Sequence, residues 1–446
     1  MLTAAMHRFW STSALVSLVG GRWVGAPPIV DEATGVSIDT RTMKADEVYV
    51  AISGENHDGH AYVEAALDAG AALAVIDDAA WAAKLEHRAG VRVVPDAVAA
   101  LQSWASAYRD ELAIGGCKVI AVAGSNGKTG TRHLLHQTLT ACGIVGTQSP
   151  KSFNNHLGVP LTLLAAKPGN AFVACEIGTN HPGEIDTLSR IVRPDAALMT
   201  SIGHEHLEFF GDLEGVAREE AALLPHVLPG GVVFVEADAA ERIAPYYDVQ
   251  ENVAMFPVHA ERFADVIPEA FPLPGAHQRS NAALVVATAR WLGLEDASIT
   301  NALRTVETAE GRMQTLRYGN QARCLTVIHD AYNANPDSMR LALNHLESIG
   351  VDRSLKAALL GDMLELGEHA AAAHAKTFAH ASRVAADGRL WCVGERFADG
   401  QPWSDALAEQ IVASLSPGDV LLLKGSRGLR LERILPHLEQ RFGPPV

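Results

Sequence analysis

Short apolar runs alternate with longer stretches of mixed polarity along most of this chain. The run 118–123, KVIAVA, and the run 171–177, AFVACEI, are apolar over almost their whole length. Continuous runs of this length predict strands that are buried on both faces. The segment 131–142 has helical composition and ends before Gly143, a residue type that commonly follows a helix. The alternation of buried strands with helices predicts an α/β protein with largely parallel sheets.

The strand-like runs form three groups, and these groups predict three domains. We expect a small mixed α/β N-terminal domain over residues 1–112, a central domain over 113–316 and a C-terminal domain over 317–446. The two later groups repeat strand and helix as a doubly wound, mostly parallel sheet does, and the last has the size of a Rossmann-like domain. The predicted strands are 48–51, 74–76, 118–123, 171–177, 196–201, 232–235, 325–329, 357–360, 390–393 and 420–423.

Composition narrows the class of protein. With 446 residues the chain is too long for one core, and its 48% apolar and 20% charged residues are typical of a globular protein. The net charge of −16 argues against nucleic-acid binding and against binding to anionic membranes. The five cysteines are scattered and contain no CxxC pair, and we find no signal peptide and no uncharged apolar run of 18 residues. We therefore expect a cytoplasmic monomer, without membrane insertion, that acts on small molecules.

A glycine-containing run between a predicted strand and a predicted helix is the strongest indication of chemistry. The run consists of Gly124, Ser125, Asn126, Gly127, Lys128 and Thr129. In this context backbone N–H groups and the helix N-terminus surround phosphate oxygens, the lysine contacts the β- and γ-phosphates, and the threonine hydroxyl reaches Mg²⁺. Val122 stands where the longer phosphate-loop pattern has its first glycine. The run predicts nucleotide binding together with Mg²⁺.

Two further polar sites follow predicted strands. Glu176 ends the run 171–177, where it is either a surface carboxylate or a ligand to Mg²⁺ beside the phosphates. The string 204–208, HEHLE, follows the run 196–201 but lacks the spacing of the HExxH zinc motif, so we do not expect a dedicated zinc site. Of its two histidines, His206 is our choice for a residue near the Mg²⁺ and the phosphates.

The last third of the chain has two polar loops at predicted strand ends. The loop 330–336, DAYNANP, contains several hydrogen-bonding groups, which indicates a ligand site, although Asn335 before Pro336 is also typical of a helix start. The loop 424–427, KGSR, has a similar position and is either a second contact with a ligand or a solvated turn. Both loops are expected at the edge where an open α/β sheet binds ligands.

Taken together, these motifs resemble those of the Mur ligases of peptidoglycan synthesis over nearly the whole chain. The strings 37–41, SIDTR, and 54–60, GENHDGH, are similar to the family's uridine-nucleotide segment. The phosphate loop and the string 154–160, NNHLGVP, are similar to its central signatures. The strings beginning DAYNANP, GDMLELG and KGSR match its C-terminal signatures, in a form typical of the member that adds D-alanyl-D-alanine to UDP-N-acetylmuramoyl-tripeptide.

This resemblance implies an ATP-dependent amide ligase that works through an acyl phosphate. It makes Lys128, Glu176 and His206 the catalytic residues, and Thr129, Glu176, His206 and Glu220 the Mg²⁺ ligands. It adds three ATP contacts: Asn281 at the nucleotide, and Arg312 and Asp330 at the joint between domains. The implied substrate contacts are Ser37, Asp39, Arg41, Asn56, His57, Asn154, Asn155, Tyr332, Asn333, Asn335, Lys424 and Arg427.

One position departs from the family pattern. Members usually have a carbamylated lysine in the helix after the histidine loop, where this chain has Glu220, and Ala221-Ala222 replaces the following Gly-Glu. A glutamate supplies the same charge and oxygens on a stem that is shorter by roughly 3 to 4 Å. With a reference pKa near 4.3 its carboxyl is ionised at neutral pH unless burial disfavours the charge. We expect either a bicarbonate-independent metal ligand or a solvated helix residue at this position.

Alternative functions remain open at this point. A divergent ligase that joins another carboxylate and amine is favoured by the change at Glu220, whereas the well-matched uridine segment favours the UDP-linked substrate. A non-catalytic nucleotide-binding relative is disfavoured by the intact Lys128, Thr129 and Glu176. A small-molecule kinase would have no need of the DAYNANP loop.

Overall fold

Three separate β-sheets with flanking helices form the part of the chain that the computed structural model describes, residues 9–54, 57–246, 253–320 and 323–446. Neighbouring strands run parallel except at one edge of the first sheet and one edge of the third. The α/β class with three mostly parallel sheets, expected from the sequence, is confirmed.

The first sheet has five strands in the order β1-β5-β4-β3-β2. They are β1 Arg22–Trp23, β2 Gly35–Ser37, β3 Glu47–Val50, β4 Leu73–Ile76 and β5 Val91–Val93. The helices of this region are Thr12–Val19, Val63–Asp68, Ala79–Lys84 and Ala97–Ile114, with a 3₁₀ helix at Gly59–Tyr62. Strands predicted at 48–51 and 74–76 correspond to β3 and β4 with shifts of one residue at their ends.

The middle sheet has six parallel strands in the order β11-β10-β9-β6-β8-β7. They are β6 Lys118–Ala123, β7 Gly146–Gln148, β8 Phe172–Glu176, β9 Ala196–Met199, β10 Val232–Glu236 and β11 Ala254–Val258. Its α-helices are Lys128–Ala141, Gly158–Leu164, Glu184–Val192, Leu207–Phe210, Leu213–Ala221, Ala237–Ile243, Ala276–Trp291 and Asp296–Leu303, and its 3₁₀ helices are Leu224–His226, Ala244–Tyr246 and Ala260–Phe263. The chain order reverses around β6, which lies between β8 and β9, and such a reversal opens a crevice at the carboxyl ends of these strands.

The third sheet has six strands in the order β12-β13-β17-β14-β15-β16. They are β12 Gln314–Asn320, β13 Arg323–Asp330, β14 Lys356–Gly361, β15 Leu390–Val393, β16 Gly400–Gln401 and β17 Val420–Lys424. Its α-helices are Pro336–Ser348, Ala370–Val384, Asp405–Ser414 and Leu435–Phe442, and its 3₁₀ helices are Arg353–Leu355, Gly367–His369, Arg427–Leu429 and Leu431–Ile434. The last strand in chain order, β17, lies between β13 and β14 and pairs with both, so the carboxyl ends of these three parallel strands are adjacent.

The apolar cores connect the three sheets unequally. Val119 of β6 and Val48 of β3 belong to one buried cluster, which also contains Trp104 of the helix Ala97–Ile114. The next residue of β6, Ile120, points to a second cluster on the opposite face of the middle sheet. Buried apolar residues of the third sheet form two clusters of their own. The first and middle sheets therefore share a core, and the third sheet does not take part in it.

Candidate functional site

A cavity of about 270 Å³ lies where the carboxyl ends of the middle and third sheets face each other. Sixteen of the predicted site residues line it: Ser125, Asn126, Gly127, Lys128, Thr129, Asn154, Asn155, Glu176, His206, Asn281, Arg312, Asp330, Tyr332, Asn333, Asn335 and Lys424. Arg427 lines a neighbouring cavity of about 140 Å³, which also contacts His206. The structure thus brings together residues that are separated by up to 300 positions in the sequence.

The phosphate loop is fixed to the segment that follows β9. The backbone N–H of Ser125 donates to the carbonyl of Ser201 at 2.7 Å, and that of Asn126 donates to the Ser201 hydroxyl at 2.9 Å. Gly124 and Gly127 have φ angles of 112° and 93°, in the region that favours glycine. The helix Lys128–Ala141 follows directly, three residues earlier than predicted, and no side chain caps its N-terminus. Its first N–H groups and its dipole are suited to an anion.

Lys128 lies in a strongly acidic environment. Its Nζ donates to the carbonyl of Gly124 at 2.5 Å and lies 3.4 Å from Oε2 of Glu205. Burial by itself lowers the pKa of Lys128, but the carboxylates of Glu205, Glu220 and Glu176 outweigh burial, and the pKa is raised. The side chain is therefore held as an ammonium ion beside the cavity, in the form that neutralises phosphate.

Glu176 is buried, with 1% of its surface exposed, so the alternative of a solvated carboxylate at the strand end is wrong. Its Oε1 accepts hydrogen bonds from the Thr129 hydroxyl and the Asn154 amide, both at 3.0 Å. Its Oε2 lies 3.3 Å from Nε of Arg132. Sequence reasoning missed Arg132, which stands one helical turn after Lys128 and therefore on the same face of the helix.

Oxygen atoms suited to Mg²⁺ converge on this part of the cavity. The Thr129 hydroxyl and the Glu176 carboxylate are in contact, and Glu205, which lies beside Lys128, lines the same cavity. Hard oxygen ligands of this kind fit Mg²⁺. Glu205 was not predicted, although it lies in the same string as His206. No group of three or more His, Cys, Asp or Glu residues in the described ranges has the arrangement of a preformed metal site.

The two histidines after β9 face different partners on the third sheet. His204 contacts Asp337, whose Oδ2 accepts its backbone N–H at 2.9 Å and lies 3.0 Å from its Nδ1. Nδ1 of His206 lies 2.6 Å from Oε2 of Glu365, although the ring is not turned to the angle of a linear hydrogen bond. The His206 side chain holds the pKa of Glu365 below its usual value. Of the two histidines, only His206 lines the cavity.

Lys424 and Asp330 form a buried pair on the third-sheet side. Nζ of Lys424 donates to Oδ2 of Asp330 at 2.6 Å and to the carbonyl of Asn333 at 3.0 Å. Burial lowers the pKa of Lys424, and the contact with Asp330 only partly offsets this. With 2% of its surface exposed, Lys424 does not belong to a solvated turn. The pair fixes the loop 330–336 against β17.

Arg312 and Tyr332 form the wall between the two sheets. The guanidinium of Arg312 lies 4.2 Å from the centre of the Tyr332 ring and donates to the Thr129 hydroxyl at 3.3 Å. The Tyr332 hydroxyl contacts Ser152, and the Arg427 guanidinium lies 5.5 Å from the centre of the same aromatic ring. A planar cation over an aromatic ring is a favourable contact that a ligand can extend.

Asn335 caps a helix and also contacts the phosphate loop. Its Oδ1 accepts the backbone N–H of Ser338 at 2.8 Å at the start of the helix Pro336–Ser348. Its amide nitrogen donates to Oδ1 of Asn126 at 2.8 Å. The helix-start interpretation of this residue is confirmed, and its predicted contact with a ligand stays a prediction.

Glu220 lies behind the phosphate loop and is not among the residues that line the described cavity. It is completely buried, so the alternative of a solvated helix residue is wrong. Its Oε2 accepts the backbone N–H of Gly124 at 2.8 Å, and its carboxyl group also pairs with that of Glu205. Burial raises its pKa to about 8, against the lowering effect of Lys128. Burial therefore disfavours the ionised carboxyl that the sequence predicts at neutral pH. Its predicted role as a metal ligand stays a prediction.

The predicted uridine contacts lie apart from this cavity. Arg41 pairs with Asp39 at 2.7 Å near the end of β2, and this contact lowers the pKa of Asp39 to about 2. Ser37 and His57 lie in the same region of the first sheet and do not line the described cavity, whereas Asn56 falls outside the described residues. The side chain of Asn155, on the cavity wall, accepts the backbone N–H of Gly158, the first residue of the helix Gly158–Leu164, at 2.9 Å. That helix packs against β2.

None of the helices in the described ranges is both long and apolar enough to cross a membrane.

Comparison with known proteins gives one consistent result. Family models match residues 32–109 (Mur ligase family, catalytic domain), 122–266 (Mur ligase middle domain) and 311–427 (Mur ligase, glutamate ligase domain). The chain is 31% identical to the UDP-N-acetylmuramoyl-tripeptide--D-alanyl-D-alanine ligase of Bacillus subtilis, over 91% of this chain and 93% of that one. It is 27% identical to the ligase of the same name from Escherichia coli, over 96% and 98%.

Structural similarity agrees with the sequence matches. A crystal structure of MurF from Acinetobacter baumannii superposes with a TM-score of 0.78 at 25% identity, over 97% of this chain and 99% of that one. The likeness extends through all three sheets, because nearly the whole of both chains is covered. This chain belongs to the Mur ligase family.

Proposed function

We propose that this protein is an ATP-dependent amide ligase that adds D-alanyl-D-alanine to UDP-N-acetylmuramoyl-tripeptide, with Mg²⁺ as cofactor. The substrate carboxylate attacks the γ-phosphorus of ATP and forms an acyl phosphate with release of ADP. The amine of the dipeptide then attacks the acyl carbon, and phosphate leaves. The curated relatives of this name support the choice of substrates.

One observation carries the proposal. The phosphate loop and Glu176 of the middle sheet share one cavity with Tyr332, Asn333 and Lys424 of the third sheet. A kinase needs only the first of these walls, whereas a ligase must place an acyl phosphate and an amine side by side. Two walls from two sheets provide both positions, and their closure excludes the water that would hydrolyse an acyl phosphate.

The middle-sheet wall binds and neutralises the phosphates. Lys128 and the N-terminus of its helix offset charge on the transferred phosphoryl group, which is the main catalytic need of phosphoryl transfer. Thr129 and Glu176 would hold Mg²⁺, with His206 and Glu205 close by. When bound, the metal ion supplies further positive charge to the phosphate oxygens. Asn281 is placed to contact the nucleotide, since its amide lies 3.0 Å from the position that a Cβ on Gly127 would occupy.

The third-sheet wall is assigned to the incoming dipeptide. Asn333 and Tyr332 offer neutral hydrogen-bonding groups. Arg427 is exposed and pairs with Glu432 at 2.8 Å, and its guanidinium fits a terminal carboxylate. Arg312 joins this wall to Thr129, so the amine site and the phosphate site are in direct contact. Asp330 holds Lys424 and so stabilises the wall, and both residues line the cavity, where Asp330 is proposed to contact ATP and Lys424 the substrate.

The first sheet is assigned to the uridine nucleotide. Ser37, Asp39, Arg41 and His57 lie there, on a unit that packs against the helix after Asn155. We propose domains at 1–112, 113–316 and 317–446. The first two matched family regions, 32–109 and 122–266, fall within these limits, whereas the third, 311–427, begins before residue 317. We also propose that the enzyme is a monomer, and the nucleotide-linked substrates favour a cytoplasmic enzyme.

The direct test is ligation by the purified protein. We expect the mass of UDP-muramoyl-pentapeptide to appear only when ATP, Mg²⁺, UDP-muramoyl-tripeptide and D-alanyl-D-alanine are all present, with one ADP formed for each product. A matched reaction with D-alanine in place of the dipeptide serves as control. ATP hydrolysis without ligation, or ligation of a different amine in preference to the dipeptide, would favour the divergent ligase instead.

A further inference from the structure

The string 361–367, GDMLELG, begins at the last residue of β14, Gly361, and has no part in the function proposed above. It brings Glu365 to the boundary between the middle and third sheets, where Oε2 lies 2.6 Å from Nδ1 of His206. The backbone N–H of Glu208 also approaches the carbonyl of Glu365, at 3.4 Å. The loop after β14 therefore meets the loop after β9 at a histidine that lines the cavity.

The backbone shows that this contact is built into the fold. Glu365 has a φ angle of 61° and His206 a φ angle of 46°, so both residues are in the left-handed region that non-glycine residues rarely adopt. A non-glycine residue in this backbone conformation costs free energy, so it persists only where the surrounding structure holds it. Such residues cluster at functional sites. Two such residues, one from each sheet, here face each other.

The side chains of His206 and Glu365 differ in exposure, and this difference indicates the role of each residue. The His206 side chain is 13% exposed, whereas that of Glu365 is 47% exposed. The histidine thus belongs to the cavity, and the carboxylate reaches it from the solvent side. A carboxylate on one ring nitrogen fixes the orientation of an imidazole and leaves the other nitrogen for a ligand. With Nδ1 beside Glu365, Nε2 is the nitrogen left for the cavity.

We propose that Glu365 is a positioning residue, which orients His206 from the third sheet and so makes the metal and phosphate site complete only when the third sheet is closed on the middle one. This inference rests on the proposed function, because it takes His206 to act at that site. It assigns Glu365 no contact with substrate. It predicts that domain closure and metal binding are coupled through this one pair.

A second pair provides a matched control, because it joins the same loop after β9 to another element of the third-sheet region, the helix Pro336–Ser348. Asp337 contacts the backbone N–H and the ring of His204, at 2.9 and 3.0 Å. It therefore holds the same loop to the third sheet, but through a histidine that is not among the residues lining the described cavity. If Glu365 were only a tether, loss of either carboxylate would have the same effect.

The test is Mn²⁺ binding in the presence of ADP, measured by electron paramagnetic resonance on the full chain. We expect Glu365→Ala to weaken Mn²⁺ binding ~10-fold, as is typical when the partner of a metal-site histidine is lost. Glu365→Gln keeps an oxygen acceptor for the imidazole and should restore most of this affinity. Asp337→Ala should leave Mn²⁺ affinity within about twofold, although it weakens the same domain contact.

Unchanged Mn²⁺ affinity in Glu365→Ala would overturn the inference, and so would equal losses in Glu365→Ala and Asp337→Ala. His206→Ala is measured in parallel, and an unchanged affinity in that variant also overturns it. Ligation by the unsubstituted protein is a separate measurement. Failure of the positioning role is thereby distinguished from failure of the proposed reaction, which only the ligation assay decides.

Discussion

The middle sheet meets its two neighbours in opposite ways. Toward the first sheet it shares an apolar core, in which Trp104 and Val119 belong to the same buried cluster. Toward the third sheet the contacts near the cavity are polar, and they are made by side chains such as Asn126 with Asn335 and His206 with Glu365. Apolar burial is non-directional and stabilises a permanent joint, whereas polar pairs of this kind contribute little net stability and depend on geometry.

This difference indicates which of the two joints can open and close during function. A joint formed by a shared core opens only at the cost of exposing apolar surface. The joint formed by polar site residues separates without that cost. We infer that the first and middle sheets behave as one unit and that the third sheet closes on it. Each prediction below changes one side of this comparison.

The largest effect is expected from Trp104→Ala, which breaks the apolar joint. Trp104 is fully buried, and its Nε1–H donates to the carbonyl of Leu15 at 2.8 Å. Removal of a buried tryptophan side chain costs about 3 to 5 kcal/mol. Hydrogen exchange should show faster opening of the first and middle sheets together, with the third sheet unchanged. Loss of protection in the first sheet alone would mean that the core is not shared.

Lys128→Ala should have the next largest effect, on the polar side of the comparison. Loss of one such charge contact costs about 3 to 4 kcal/mol in the transition state, or about 10² to 10³ in rate. The fold should persist, because Lys128 contacts loop carbonyls and carboxylates rather than a core. Turnover is measured beside circular dichroism. Near-normal turnover in a folded variant would mean that Lys128 of the phosphate loop takes no part in the reaction.

Glu220→Ala should give an intermediate effect through the phosphate loop. It leaves the N–H of Gly124 without its buried acceptor, which costs about 1 to 3 kcal/mol. We expect a raised KM for ATP, while Glu220→Gln, which keeps an oxygen acceptor, should lie close to the unsubstituted protein. If the two variants weaken Mg²⁺ dependence equally, the charge matters more than the acceptor, and the role as metal ligand is supported.

The smallest effect is expected at Asn335, the residue that joins the two walls. Asn335→Ala removes a helix cap and the contact with Asn126, each worth ~1 kcal/mol. Asn335→Asp keeps the cap oxygen and loses the amide donor, so stability should recover while the KM for the amine stays raised. An increase confined to the KM for ATP would reassign this loop to the nucleotide.

The sequence predicted the architecture well where strands are buried on both faces. Lys118–Ala123 and Leu390–Val393 were predicted with their observed bounds, because parallel strands under two layers of helices are continuous apolar runs. Short edge strands such as Gly400–Gln401 carry too few residues for a pattern. The helix at Lys128 begins earlier than predicted, since glycine and threonine near a phosphate loop have a low helix propensity.

The site was predicted only as far as it is local. Strand-end motifs identified Glu176 and His206, but not the residues that hold them. Arg132 contacts Glu176 and Glu365 contacts His206, and each pair joins positions that are far apart in the sequence. The burial of Glu220 was also beyond the sequence, because a single helix position does not show which element packs over it.

The central claim is that the cavity transfers a phosphoryl group to a carboxylate, which an amine from the third-sheet wall then attacks. Ligation with UDP-muramoyl-tripeptide labelled with ¹⁸O in its reacting carboxylate tests this most directly. Mass spectrometry should find one ¹⁸O atom in each phosphate released, because the bridging oxygen of an acyl phosphate leaves with phosphorus. Phosphate free of the label, with amide product still formed, would contradict the account.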